Sequence, residues 1–283
     1  MARRHRRRRL YGRRVARCTR GAPRIGHALA QAVYGAFFAA AIAWLALRAG
    51  ALDRSGALAA FAIGAIVFAA LGWAGAAVLF AFFVPATLLS RLGKRRKRAL
   101  VDVGKTGPRD ALQVLANGGI AAVCAAGAVV FGKPWNAAFA GAFAAAAADT
   151  WGTEIGTLAK QRARSILNGQ PIPTGMSGGV TAAGTLAEIA GAAVVALVTF
   201  GTGIAAIVPV AVAGITGATL DSILGATVQE LRYCPHCERS CETDPHVCGT
   251  PTYLRRGRHA ISNDAVNLAA TCCGALVAAL LSP

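Results

Sequence analysis

Asp149, Glu154 and Asp221 stand inside long runs of Ala, Gly, Val, Leu and Ile that carry almost no other charge. An ionised carboxylate in hydrocarbon is costly, so acids placed this way are paired or functional. Amide side chains accompany them: Asn117 in Gln-Val-Leu-Ala-Asn-Gly-Gly (113–119), Gln229 two turns beyond Asp221, and Asn263, Asp264 and Asn267 at the start of the last apolar run. Carboxylate and amide oxygens with no His among them are hard ligands, which suit Mg²⁺ or Mn²⁺ rather than Zn²⁺ or copper. Mg²⁺ held by one or two carboxylates usually takes phosphate as its other partner. Phosphate binders lie at the same edge: Lys105, Arg109, Arg162, Arg164, and the turn Pro-Thr-Gly-Met-Ser-Gly-Gly-Val-Thr (173–181). In that turn Ser177, Gly178 and Gly179 open a helix, whose free N–H groups and dipole attract anions. Glu188, in the middle of an apolar run, reads as a lone helix-pairing acid and is left out of the set.

The elements that must position these residues are membrane helices. The 283 residues are 55% hydrophobic and 15% charged, against roughly 25% charged in ordinary soluble proteins, which excludes a disordered tail protein and argues against a soluble enzyme. The net charge of +18 would suggest nucleic acid if it covered one surface, but it is blocked: eleven of the thirty Lys and Arg precede His27, eight lie in 91–109, three in 160–164 and five in 232–258. Basic loops between apolar spans mark a polytopic membrane protein with those loops in the cytoplasm, here the cell's inner membrane, and no specific nucleic-acid partner is implied. Windows of about 20 residues place spans near 27–48, 57–72, 73–90, 111–131, 137–159, 177–200, 204–231 and 262–281. The expected fold is an all-α polytopic bundle of seven or eight transmembrane segments. Residues 1–26 form a basic cytoplasmic tail that touches anionic lipid, 27–283 the helical domain, and 232–260 a cytoplasmic loop before the last helix. Three full spans before residue 91 would put the tail outside, so either 57–72 is a re-entrant or short segment, or 57–90 makes one long broken span.

Loops 91–110, 160–175 and 232–260 are separated by pairs of spans and therefore share one face. Asp149 and Asp221 each lie some 16 Å from the loop that follows, at ~1.5 Å per helical residue, so they can sit at one depth. Glu154, five residues on, reaches the same pocket only if the turn at Gly152 is distorted. Gly104-Lys105-Thr106 has the look of a Walker A tail, but Ala99 stands where that motif needs Gly and no strand precedes it, so a P-loop is rejected.

Four of the eight Cys fall in Cys-Pro-His-Cys-Glu-Arg-Ser-Cys-Glu-Thr-Asp-Pro-His-Val-Cys-Gly (234–249). Cys234, Cys237, His246 and Cys248 can close a tetrahedral Zn²⁺ site, with Cys241 or His236 as substitutes. Free cytoplasmic thiols, or a disulfide if the topology is inverted, are the alternatives. A zinc ion here would be structural, folding the loop over the site.

The motifs Asp-Thr-Trp-Gly-Thr-Glu-Ile-Gly (149–156), Pro-Thr-Gly-Met-Ser-Gly-Gly-Val-Thr (173–181), Gln-Val-Leu-Ala-Asn-Gly-Gly (113–119), Asp-Ser-Ile-Leu-Gly-Ala-Thr-Val-Gln (221–229) and Asn-Asp-Ala-Val-Asn (263–267) together resemble the membrane family that includes the plant chloroplast phytyl-phosphate kinases. The resemblance covers about residues 56–270. It implies a kinase moving a phosphoryl group, from CTP or another nucleoside triphosphate, onto an isoprenyl monophosphate, with the site at the cytoplasmic side. Asp149, Glu154 and Asp221 would hold Mg²⁺, and Asn117, Asn263 and Asn267 would meet nucleotide or lipid phosphate. The rival readings are a lipid or small-anion transporter or flippase, and a membrane cytidylyltransferase.

Overall fold

The structure, a computed structural model, describes residues 25–93 and 107–282. The Arg-rich tail and Lys105 lie outside the described residues. Seven helices follow in order: α1 (Ile25–Arg48), α2 (Arg54–Arg91), α3 (Ala111–Phe131), α4 (Lys133–Leu158), α5 (Ala182–Gly201), α6 (Ile207–Thr227) and α7 (Asn263–Leu281). Two small three-stranded antiparallel sheets fill the loops between them. One joins β1 (Ala163–Ser165) to β2 (Pro171–Ile172) and β3 (Gly179–Val180); the other joins β4 (Leu231–Cys234) to β5 (Arg239–Cys241) and β6 (Tyr253–Arg256). Among the described residues six helices, all but α4, are long and apolar enough to cross a membrane.

The start of the chain is neither a re-entrant segment nor one long broken span. At Gly72 the backbone takes φ 57° and ψ −144°, a conformation that costs glycine little, and the chain reverses. Past the reversal, a Cβ on Gly75 would lie 3.0 Å from Val67 Cγ1 and 3.2 Å from its carbonyl. Phe83 packs with Ala57 and Leu52 near the start of α2. Gln31, near the beginning of α1, donates to the carbonyls of Phe68 (3.0 Å) and Ala69 (3.1 Å) at the bend, while Arg91 donates to Ala49 O at the far end of α1 (3.0 Å). The two halves of α2 are thus antiparallel segments of ~27 Å each at ~1.5 Å per residue, which makes eight membrane-length segments among the described residues. The first turn of α1 accordingly lies at the opposite end of the bundle from the basic loops, whereas the tail was expected on their side; the tail itself falls outside the described residues.

The loops of the other end meet one another. Leu52 bridges Arg109, Asp53 N–H donates to Arg109 O, and Arg256 reaches the Ser177 and Gly225 carbonyls. The four helices that begin at this face carry side-chain caps: Asp53 accepts from Gly56 N–H, Asp110 from Gln113, Thr181 from Gly184 and Ser262 from Ala265. Caps of this kind satisfy otherwise orphaned N–H groups. Helices α4 and α6, which begin at the other face, have none. Residues 177–181, expected to be the start of a span, instead form a turn at Ser177-Gly178, then β3 and the Thr181 cap, so α5 begins at Ala182.

Helix α4 is the central post, packed against α2, α3, α5, α6 and α7. Every residue from Ala137 to Ala148 is buried, which explains how it tolerates a lower hydropathy than its neighbours: it faces protein on all sides. Its Ala and Gly residues let backbones approach, as in Gly141 against Gly274 of α7 and Ala147 against Gly191 of α5.

Candidate functional site

Two turns short of the end of α4, Asp149 meets Asp221 of α6, their side chains within hydrogen-bonding reach of each other. Two carboxylates cannot hydrogen-bond unless they share a proton, and a cation between them resolves the repulsion more fully. One oxygen of Asp221, Oδ1, is buried and has no hydrogen-bond partner. Glu188 of α5 completes the group. It interacts electrostatically with both aspartates, and its side chain lies against Gly152, where a Cβ would stand 2.5 Å from Glu188 Cγ and 2.7 Å from Oε1. Glu188 is the acid that the sequence reading set aside. Helix α4 stays helical through Gly152 to Leu158, so the distortion on which Glu154's reach depended is absent. Glu154 is turned away from the Asp149 face by the helical advance of five residues and acts on Asp149 and Arg109 through charge.

Around these acids lies a polar rim. Ser177 Oγ donates to Glu242 Oε1 (2.8 Å); Gln229 Nε2 donates to the same oxygen (2.7 Å), to Ser177 Oγ (3.0 Å) and to Asn263 Oδ1 (3.5 Å). Glu242 in turn is felt electrostatically by Asp221. Gly178, with φ +82°, sits so close on Ala226 that no side chain would fit, which seats the 173–181 turn on the end of α6. Arg256 donates to the Ser177 carbonyl on the rim (3.3 Å), and Arg109 is linked by charge to Glu154. Burial pushes both Arg109 and Arg256 below the usual arginine range, opposed by Glu154 in the first case and Glu242 in the second. Arg256 Nε is buried without a partner.

The site therefore draws together Asp149, Asp221, Glu154, Arg109, Ser177, Gln229 and Asn263 of the residues expected from sequence, and adds Glu188, Glu242 and Arg256. The others are placed differently. Asn117 donates to Gln113 O one turn back in its own helix (2.9 Å), and Arg164 donates to Gly169 O within its own hairpin (2.9 Å). Arg162 is exposed, Gly179 belongs to β3, and Asp264 and Asn267 lie half-buried in the first turns of α7. An acid seven residues into the apolar run of α5 was the signal for Glu188, and Gly152 was the gap left for it. Nothing in the spacing of Glu242 or Arg256 distinguishes them from other loop charges.

The donor set at Asp149, Asp221 and Glu188 is all oxygen and includes an orphaned buried carboxylate oxygen, which fits Mg²⁺. A second constellation stands in the β4–β6 loop. The ligand atoms of Cys234, Cys237, His246 and Cys248 all lie within 4.8 Å of one another. Cys234 Sγ and Cys248 Sγ are 3.6 Å apart, close to the ~3.8 Å edge of a zinc tetrahedron built on ~2.3 Å Zn–S bonds and far beyond a disulfide bond. Hydrogen bonds from Thr250 and His246 pull the Cys248 thiol down to about 5, while its bonding to Cys248 pushes Cys237 up to about 11. One ready thiolate among crowded thiols is a setting that a cation stabilises. Cys241 bonds to Thr243 O instead (3.7 Å) and stands outside the four.

The loop is tied down by buried Arg232, which donates to Thr252 Oγ1 (2.6 Å), Glu230 Oε1 (2.6 Å), Asp244 Oδ2 (2.7 Å) and Thr252 O (2.8 Å). A lysine has no planar fork with which to make these bonds at once. Arg232→Lys is expected to raise amide exchange across β4–β6 by at least ~10-fold, given ~1.5 kcal/mol or more for each charged hydrogen bond lost; unchanged exchange would remove Arg232 as the anchor.

These features define a polytopic membrane protein with an acid cluster enclosed by its helices and a Cys/His loop closing over one face. The chain belongs to the integral membrane protein family DUF92, whose family model matches residues 37–275. It is 31% identical over 233 residues to Protein PGR of Arabidopsis thaliana, covering 71% of this chain and 80% of that one. It is also 31% identical over 179 residues to the uncharacterized membrane protein sll0875 of Synechocystis (60% and 69% of the two chains), and 32% identical over 179 residues to the uncharacterized membrane protein MJ0933 of Methanocaldococcus jannaschii (62% and 74%). No solved structure matches.

Proposed function

We propose that the protein is a membrane phosphotransferase that moves the γ-phosphoryl group of a nucleoside triphosphate, CTP by the family resemblance, onto an isoprenyl monophosphate to give the diphosphate. The observation that carries this reading is the meeting of Asp149, Asp221 and Glu188 from three helices, with half-buried Arg256 on the Ser177 turn and half-buried Arg109 facing Glu154 at its edge. Acids alone would repel a phosphate. Acids able to hold a divalent cation, rimmed by guanidinium groups, bring phosphates in and keep them.

In this reaction an oxygen of the lipid phosphate attacks the γ-phosphorus, the bond from that phosphorus to the β-phosphate oxygen breaks, and the nucleoside diphosphate leaves. The acceptor's second pKa is near 6, so it is already anionic at neutral pH and needs little help from a base. What remains is positioning and charge stabilisation. Mg²⁺, held by Asp149, Asp221 and Glu188, would supply neutralisation of the phosphate oxygens. Arg109 and Arg256 offer charged donors, Ser177 and Gln229 polar ones, and the charge of Glu154 favours the charged form of Arg109.

The test uses purified protein, Mg²⁺, a prenyl monophosphate and CTP labelled at either the α or the γ phosphorus. Transfer of γ label alone into a prenyl diphosphate is the expected result. Lipid carrying the α label would make the protein a cytidylyltransferase, and bound lipid with no label in either case would make it a transporter; each would overturn the proposal.

A further inference from the structure

Glu242 reaches the acid site from outside the membrane helices. It follows Cys241 at the end of β5, and metal-ligand candidates bracket it on both sides in sequence, Cys237 before it and His246 after it. Its Oε1 takes hydrogen bonds from both Ser177 and Gln229, and Gln229 is 1% exposed, so the half-buried carboxylate is seated in a polar socket formed by the 173–181 turn and the end of α6. The loop that delivers it has little apolar core of its own. Apart from Leu231, its buried residues are Cys234, Cys241, His246, Thr252 and Arg232. The Arg232 bonds hold β4 and the Asp244–Thr252 limb, and the Cys/His ligand atoms draw the remaining turns together.

We propose that metal capture by Cys234, Cys237, His246 and Cys248 latches Glu242 into its socket on Ser177 and Gln229, so that divalent-cation binding by Asp149 and Asp221 depends on the ion in the loop. This rests on the reading of those acids as a cation site. The loop ion is a positioning device, and Glu242 is a positioning residue that acts through Ser177, Gln229 and the charge it places beside Asp221. Loss of outer partners of this kind typically weakens a metal site 10–100-fold.

The experiment measures zinc by elemental analysis and binding at the acid site with Mn²⁺ by electron paramagnetic resonance, on detergent-solubilised full-length protein that remains monodisperse. Stripping the loop zinc with a chelator, then removing the chelator, is expected to weaken Mn²⁺ binding at least ~10-fold. Glu242→Gln should retain stoichiometric zinc, lose Mn²⁺ affinity to a similar extent, and lose no more when stripped, because the two changes break one linkage. Unchanged Mn²⁺ affinity in zinc-free protein, or additive losses from stripping and substitution, would overturn the latch. Absence of Asp149-dependent Mn²⁺ binding in zinc-loaded wild type would remove the cation site itself, and the latch with it.

Discussion

Asp149→Asn is expected to lower phosphoryl transfer at least ~10³-fold and yet leave the protein folded and, in metal-free buffer, no less resistant to heat. The substitution keeps shape and volume and removes one of two carboxylates that face each other between α4 and α6. The new amide can donate to Asp221 in place of the proton that the two carboxylates must share when no cation lies between them, so the native state keeps a hydrogen bond at this contact and no longer needs that proton. Sites built for chemistry are often relieved in this way when a functional residue is replaced. The cost falls on cation binding, where a bound metal contributes several kcal/mol of transition-state stabilisation, at ~1.4 kcal/mol per factor of ten. Heat denaturation with and without Mg²⁺ separates the two effects. A cation at ~100 times its Kd stabilises the wild type by ~2.7 kcal/mol, and the variant should lose most of that increment. Wild-type turnover by Asp149→Asn would take Asp149 out of the mechanism.

The parts of this arrangement that lie along the chain were legible in the sequence; those that depend on a neighbouring helix were not. Membrane-length runs broken by the basic loops gave the segments, including separate segments on either side of the Gly-Trp-Ala-Gly at 72–75, although only the Gly72 backbone decides that the chain turns back there. Asp149 and Asp221 were matched by their equal distance from loops on one face, a constraint that helical rise supplies without any coordinates. Glu188 was not, because its partners come from other helices, and along α5 it has no charged or amide neighbour at helical spacing to mark it as part of a site. Asn117 was reached through a motif rather than through spacing, and its amide N–H bonds to its own helix. Cys234, Cys237, His246 and Cys248 could be chosen correctly because metal geometry restricts local spacing. The same logic is silent on Glu242, whose significance comes from where the folded loop comes to rest.

A substitution remote from the acids should do more damage to the fold than any within them. In lipid the hydrophobic effect does not drive helices together, and the contact between close-packed backbones has to be maintained by small residues. Gly141 of α4 is the sharpest case: a Cβ there would overlap Gly274 O of α7 and stand 2.5 Å from the Ala278 methyl. The obstacle is backbone, which cannot rotate aside, and α4 is held on its other faces by α2, α3, α5 and α6. Gly141→Leu must therefore push α7 away from the post, and overpacking of this kind costs about 3 kcal/mol or more where backbone has to move. The start of α7 carries Asn263, bonded to Gln229 at the rim of the site, so displacement of the helix would reach the polar socket as well. The expected result is loss of the monodisperse form in detergent, or a clearly lowered unfolding midpoint. Gly201→Ala, at the end of α5 with open space where its Cβ would go, should leave both unchanged. A normal midpoint for Gly141→Leu would mean that α7 is not fixed against the post, and a rim that depends on Asn263 would then lack its support.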